Sequence, residues 1–427
     1  TLFEQPLIGN SSMSMVSGPF WRSLPRAVVT DPFQPIAAFR YYLSNQSWVF
    51  PEHRDFDPDT GDLFPANTPY YVVSQGSSFS DQPFMQAFAA TMAAFQPATK
   101  RLLITRKVLA PTMQMILRST QKTVKKPEDY LTSAAHPVVF DGGNLDVLAM
   151  VEMAHAMKPE DIPPLVALRT LSDAQVEPGA DYFDMRPEGL FDTPCSIARV
   201  VRGVARDRRM TLEASSSMNQ RDVKYEWVVL QGDPKKIDIK PLDAASSRVE
   251  ISVSYHGQFR LQNASGKPQT MTSRRVDIGC FVKVGSYYSA PAFVSFYYLP
   301  NEERVYRDDG QILSVDYTNA SHHYADPVLT LQKNWKDLYD YDQQGHLTGW
   351  TRTRNEGNPE RFTYRGHKVL ETDKLNRPVK ACAVQYMPRQ TGAEVAPPVL
   401  TYMDLPQVFT YTYSGETDKV GKVSALK

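Results

Sequence analysis

The sequence predicts a multi-domain α+β protein, with a mostly helical N-terminal module over residues 1–162, a central antiparallel β-sandwich over 163–300 and a β-hairpin-rich C-terminal segment over 301–427. Three observations lead there. At 427 residues the chain exceeds the roughly 250–300 residues over which one hydrophobic core keeps growing. Across Ile162-Pro163-Pro164 the spacing of apolar side chains changes from helical to every other residue. Beyond Leu299 a strand, turn, strand pattern recurs with Asp and Gly in matching places. Hydrophobic residues at 42% and charged residues at 22% are ordinary globular proportions, which excludes a fibrous or largely disordered chain.

In the N-terminal module Phe84, Phe88, Met92 and Phe95 follow Ser80, a residue type that caps helices, at three- and four-residue spacing. They predict an amphipathic helix ending near Gln96-Pro97. A second helical stretch runs from Ala98 to about Lys107, and a third starts at Pro111 and carries Met115, Ile116 and Ser119. Asn144 is expected to cap a helix over Leu145–Met157, with Leu145, Leu148 and Val151 on one face, and Lys158-Pro159 and the prolines after it end that helix.

Strands are then expected at Leu165–Leu171, Arg209–Ser215, Val223–Leu230, Ile237–Pro241, Arg248–Tyr255, Arg275–Val284 and Ala292–Leu299, a number and length that imply an immunoglobulin-like sandwich. In Val249–Tyr255 and Val276–Val282 apolar and polar residues alternate, which places one face of each strand on a core and the other in solvent. Tyr225-Glu226-Trp227 followed by Gln231-Gly232-Asp233 resembles the polycystic-kidney-disease (PKD) type of immunoglobulin-like domain, in which a strand Trp leads into a Gly-Asp turn. Here two extra residues separate the Trp from the Gly-Asp. The resemblance covers the central segment alone and implies a spacer or adhesion module of a secreted protein.

In the C-terminal segment Tyr306-Arg307-Asp308-Asp309-Gly310, Tyr341-Asp342-Gln343-Gln344-Gly345 and, more faintly, Thr372-Asp373-Lys374-Leu375-Asn376 each read as a strand entering a tight turn. Asp at the start of the turn and Gly or Asn at its left-handed position account for the pattern locally. The pattern is also similar to the tyrosine-aspartate (YD) repeats of large secreted bacterial shell proteins.

Lys plus Arg and Asp plus Glu both number 47, so no positive field gathers a phosphate backbone, and nucleic acid is not an expected partner. No apolar run approaches the ~18 residues of a transmembrane helix. Thr1 opens without a basic stretch ahead of an apolar one, so no targeting segment is visible; the start at Thr rather than Met, with 22 Tyr and many Ser and Thr, reads as an extracytoplasmic (periplasmic or secreted) bacterial protein whose signal peptide has been removed. Cys195, Cys280 and Cys382 form no CxxC pair; Cys195 and Cys280 either bridge the sandwich or stay as buried thiols.

Several candidate sites stand out, each beside a plainer reading. Asp55, Asp57, Asp59 and Asp62, following His53, alternate as the oxygen ligands of a calcium loop do, although Gly61 falls one place late; a solvated turn explains them as well. Ser77 and Ser80 belong to the small-residue loop Ser74–Asp81 ahead of a helix start, where backbone N–H groups favour anions. Asp81 fills that place from within, and neither a P-loop ending nor a Gly-x-Ser-x-Gly elbow is present. His136 lies near Asp141, and Glu152 three residues from His155, so each pair offers a base beside a carboxylate or simply surface hydrogen bonds. His322-His323 reads as loop. Of the tyrosine doublets, Tyr70-Tyr71 and Tyr287-Tyr288 are the candidate ligand-binding residues, with cross-strand packing as the alternative.

These features point first to a secreted or periplasmic binding protein that recognises a polysaccharide or a protein surface. An extracytoplasmic hydrolase or lyase working from His53, Asp55, Ser77, Ser80, His136 and Asp141 is the alternative, with a subunit of a surface assembly as the third.

Overall fold

The computed structural model describes residues 6–10, 14–17, 20–23, 28–29, 33–51, 67–74, 79–174, 176, 182, 187–217, 223–262, 268–319, 324–355, 357–389 and 399–425. Helices and strands are mixed throughout the first third. The chain opens with β1 (Leu7–Asn10), β2 (Ser14–Ser17), β3 (Phe20–Ser23), helix α1 (Gln34–Leu43), β4 (Gln46–Pro51) and β5 (Tyr71–Ser74). Strands β1, β4 and β5 pair in parallel in that order, and Phe140 extends the array by bridging Ser74. Helices α2 (Gln82–Ala94), α3 (Pro97–Thr105), α4 (Leu109–Ser119) and α5 (Val147–Ala156) follow.

The N-terminal unit is thus built on a parallel sheet as well as helices, which corrects the mostly helical reading. Strand β5 is buried along its whole length and β4 nearly so, and a strand covered on both faces has no polar alternation to reveal it. Helix α2 forms as its spacing predicts, with Phe84 and Phe88 buried, but Asp81 rather than Ser80 holds the N-cap position. Helix α5 is capped by Asp146, whose Oδ1 accepts from Ala149 N at 3.0 Å, in place of Asn144.

The central strands are β6 (Val166–Asp173), β7 (Gly189–Thr193), β8 (Ser196–Val200), β9 (Asp207–Ser216), β10 (Tyr225–Gln231), β11 (Ile237–Pro241), β12 (Arg248–Ser254), β13 (Phe259–Gln262), β14 (Pro268–Ser273), β15 (Arg275–Val284), β16 (Tyr287–Tyr288) and β17 (Ala292–Tyr297). One sheet runs β11-β12-β9-β6; the other is six-stranded, in the order β10-β15-β17-β8-β7 with β16 beside β15. Met210, Leu212, Val249, Ile251 and Val253 from the first share a core with Val276, Ile278, Cys280, Val294 and Phe296 from the second. Strand β12 alternates as predicted. Strand β15 does not: Asp277 and Phe281, expected in solvent, are 1% and 0% exposed, because Tyr130 and His136 of the N-terminal unit cover Phe281 while Arg275, itself paired with Asp326, and Ser295 enclose Asp277. Cys280 lies between the sheets and Cys195 in the cluster on the other side, so the two remain free thiols.

The last strands, β18 (Glu303–Tyr306), β19 (Ile312–Asp316), β20 (Trp335–Tyr341), β21 (Leu347–Arg354), β22 (Glu360–Thr363), β23 (Lys368–Thr372), β24 (Pro378–Arg389), β25 (Val399–Thr412) and β26 (Lys422–Ala425), form a nine-stranded antiparallel sheet in chain order. The sheet curls. Trp335 on β20 meets Tyr386 on β24 and Tyr402 on β25, with ring centroids 6.4 and 6.0 Å apart. The Arg352 guanidinium lies inside the curl, 4.1 Å from the Trp335 ring and 4.8 Å from Phe362, and is held by both oxygens of Asp337 at 2.7 Å. Among the described residues no helix is long and apolar enough to cross a membrane.

Candidate functional site

Residues paired across antiparallel strands carry their side chains on the same face, and that face alternates along each strand. Asp340 pairs with Gly349, and Thr351, two residues on, pairs with Arg361. Asp340, Gly349 and Arg361 therefore share the outer face of the curled sheet, opposite to Arg352. Gly349 leaves the floor between them bare. A Cβ there would come within 2.2 Å of Phe362 O, so the close approach of β21 to β22 requires glycine.

Turns wall this floor. In Asp342–His346, Gly345 N donates to Asp342 O at 3.1 Å and Asp342 N to His346 O at 3.0 Å; Asp373–Arg377 repeats the pattern at 3.0 and 2.9 Å. Gly345 and Asn376 take the left-handed position, at φ 83° and 59°. The turn carboxylates hold the loops from within: Asp342 Oδ1 accepts from Gln344 N and His346 N at 2.9 and 2.8 Å, and Asp373 Oδ1 from Leu375 N and Arg377 N, both at 2.9 Å. Thr363–His367 is a further turn of the same kind, with Thr in place of Asp, which the sequence pattern missed.

Between sheet and turns lies a cleft of about 630 Å³ lined by Asp340, Asp342, Gln343, Gln344, Thr348, Gly349, Arg361, Asn376, Arg377, Glu416 and Lys419, among others. Arg361 Nη1 donates to Asn376 O and Oδ1 at 3.0 and 2.8 Å, which fixes its guanidinium across the cleft. Arg377 ties the next wall: its Nη1 donates to Gly415 O at 2.6 Å and Asp418 O at 3.0 Å while its Nε holds Asp373 Oδ2 at 2.8 Å. Asp418 in that wall accepts from Ser414 N and Gly421 N, and these bonds hold its carboxyl down at about 2. Partial burial raises the Asp340 carboxyl above the ordinary aspartate value, against the pull of Arg361. Asp340, Asp342 and Glu416 balance Arg361, Arg377 and Lys419, so the lining has both signs and no excess of either.

The residues singled out from sequence fare differently. His53, Asp55, Asp57, Asp59, Asp62, Ser77 and His322-His323 lie outside the described residues. Ser80 and Asp141 come to the same edge of the parallel sheet. Ser80 Oγ is 3.3 Å from Ser74 Oγ at the end of β5, and Phe140 N donates to Val73 O at 2.8 Å beside it. Asp141 Oδ1 is occupied by Gly143 N at 2.8 Å. His136 does not join them: it is buried, with its ring against Phe281 at 5.2 Å, Nε2 2.5 Å from Tyr130 O and Nδ1 3.4 Å from Arg118. His155 contacts Gln96 rather than Glu152. Tyr70 and Tyr71 are 1% and 6% exposed, which takes both rings out of reach of a surface ligand. Tyr287 and Tyr288 are half-buried, Tyr288 stacked on Tyr130. Among the described residues no group of three or more His, Cys, Asp or Glu side chains is placed to hold a metal. Sequence reasoning named none of the cleft residues as a site, although the Asp-to-Gly turns it marked are the walls. No protein-family model matches the chain, and no match is found among curated proteins.

Proposed function

We propose that the chain is a secreted or periplasmic binding protein that takes part of a polysaccharide into the cleft on its C-terminal sheet. One observation carries this reading: donors and acceptors of balanced charge, Arg361 tied to Asn376 with Asp340 and the Gln343-Gln344 amides beside them, surround a floor left bare by Gly349. A sugar offers hydroxyls that both donate and accept, and a site of a few hundred Å³ with its polar groups held on a sheet suits it. The modular, immunoglobulin-like reading fits this role. The order β6-β9-β12-β11 facing β10-β15-β17, with β8 parallel to β17, corresponds to the A-B-E-D and C-F-G strands of such sandwiches and supports that assignment.

A glycan array followed by calorimetric titration tests the proposal. Binding of a saccharide by the full chain, weakened at least ~10-fold by Arg361→Ala, is expected, since a hydrogen bond to a charged donor contributes about that much. An array without ligand, or a ligand bound equally by the variant, overturns it. A second reading, a hydrolase or lyase, is favoured by the gathering of Asn10, Ser74, Ser80, Asp81 and Asp141 at the carboxyl ends of parallel strands, where ligands of α/β sheets bind. Polysaccharide cleavage by the full chain that is lost in Ser80→Ala would select it.

A further inference from the structure

Residues 118–140 of the N-terminal unit close over Phe281 and Phe293, on the face of the six-stranded sheet turned away from the inter-sheet core. Tyr130 Oη donates to Ser289 O at 2.7 Å, and the Arg118 guanidinium lies 5.1 Å from the Phe140 ring and 5.5 Å from Phe293. Arg118 is 1% exposed, its Nε has no hydrogen-bond partner, and among the described residues no carboxylate pairs with it. An uncompensated buried cation is rare.

His136 is its neighbour, 4% exposed. Nε2 lies 2.5 Å from the carbonyl of Tyr130, and Nδ1 lies 3.4 Å from Arg118 Nη1. A carbonyl only accepts and a guanidinium only donates, so the proton sits on Nε2 and Nδ1 offers its lone pair: the ring is a neutral imidazole with both nitrogens engaged. The groups facing it are Arg118 on α4, Tyr130 from the preceding 3₁₀ turn, Phe281 on β15 and Phe293 on β17, while Asn67 Nδ2 holds its backbone carbonyl at 3.3 Å. None is a carboxylate. A second proton, on Nδ1, would set an imidazolium against a guanidinium in a desolvated seat and leave two donors facing each other.

We propose that this seat is an acid-sensitive joint, in which protonation of His136 is incompatible with the N-terminal unit lying on β15 and β17, so that acid favours its release from the sheet. Burial, reinforced by Arg118, pushes the His136 ring well below the ordinary histidine value, with the Tyr130 carbonyl acting weakly the other way. Burial lowers Arg118 only to about 10, so it is still a cation at neutral pH. In the released state His136 regains an ordinary value of about 6.5. Above that pH neither state takes the proton and the joint is indifferent to pH; below it only the released state does, and the ratio of released to seated forms rises about tenfold per pH unit.

Hydrogen exchange of the full chain, corrected for the intrinsic pH dependence of exchange and followed from about pH 7.5 to about pH 4.5, tests this. Protection of residues 118–140 and 279–297 is expected to fall about tenfold per pH unit below about 6.5, while β9 and β12 hold theirs. His256, also buried, reports through its own peptides and is read separately. His136→Gln supplies an amide donor to Tyr130 and an acceptor to Arg118 but no titration, so its profile should be flat. A flat profile in the unaltered chain, or the same slope in His136→Gln, overturns the proposal. Should that variant fail to fold, His136→Phe serves: its ring packs in the same aromatic seat against Phe281 and Phe293 but cannot titrate, so the slope must vanish, and an unchanged slope sinks the idea.

Discussion

Strands β20 to β22 carry an Asp and an Arg on each face, and the two faces use them in opposite ways. Inside the curl Asp337 and Arg352 are each 3% exposed and grip one another with two bonds of 2.7 Å, ringed by Trp335, Phe362, Tyr386 and Tyr402. On the outside Asp340 is exposed, and Arg361 is held by the Asn376 amide and carbonyl rather than by a carboxylate. A buried charge costs several kcal/mol unless a neighbour neutralises it, as Asp337 does here for Arg352; a charge at the rim of a cleft keeps bonding capacity for something else. Burial therefore separates structural ion pairs from candidate binding groups on one and the same strand.

The largest expected effect breaks the inner pair. Asp337→Ala leaves Arg352 buried among aromatic rings without a carboxylate, and urea denaturation should show a loss of about 3–5 kcal/mol. Replacing both partners with apolar residues, Asp337→Leu with Arg352→Met, should restore most of that stability, because the cost lies in stranding one charge rather than in losing the pair. A double variant as unstable as Asp337→Ala would mean that the pair determines how the sheet curls.

How far such distinctions can be read in a sequence depends on whether both partners are local. The alternation of β12 and the Phe84–Phe88 spacing of α2 were legible because each reports a single face against a single core. Strand β15 shows the limit: its alternation marks the face toward the inter-sheet core correctly, but nothing in Val276–Val282 says that Tyr130 and His136 will cover Phe281 on the other. Strands β4 and β5, covered on both sides, give no period at all. The cleft was half legible, since Asp and Gly or Asn spaced for turns marked its walls while its floor depends on the register of β20, β21 and β22, which no local pattern encodes.

Gly349 sharpens the comparison because it belongs to the fold and the cleft together. Gly349→Ala places a methyl against Phe362 O, and a rigid backbone neighbour can yield only by shifting β22. Thermal unfolding should register a loss of about 1–3 kcal/mol, with saccharide binding weakened alongside it as the floor rises. Arg361→Ala separates the two properties. Its side chain is half-buried and its partner is a turn amide, so stability should change by no more than about 0.5 kcal/mol while affinity falls, as measured by titration beside an unfolding curve.

Asp340→Asn carries the smallest effect on the fold and the most specific effect on the site. The side chain keeps part of its surface in solvent and has no hydrogen-bond partner among the described residues, so unfolding should be unchanged within about 0.5 kcal/mol. Binding should change in its response to pH. Partial burial raises the Asp340 carboxyl above the ordinary aspartate value, so as pH falls it takes up its proton earlier than the turn carboxylates Asp342, Asp373 and Asp418, which their loop N–H groups hold low. Affinity of the unaltered chain should therefore drop on acidification while the walls of the cleft are still intact, since a carboxylate that accepts from ligand hydroxyls loses its charge and presents an O–H donor on one oxygen when protonated. In the Asn variant that limb of the profile should be flat. If both chains lose affinity in parallel, Asp340 is a bystander on the outer face, and its exposure would carry no more meaning than that of any surface aspartate.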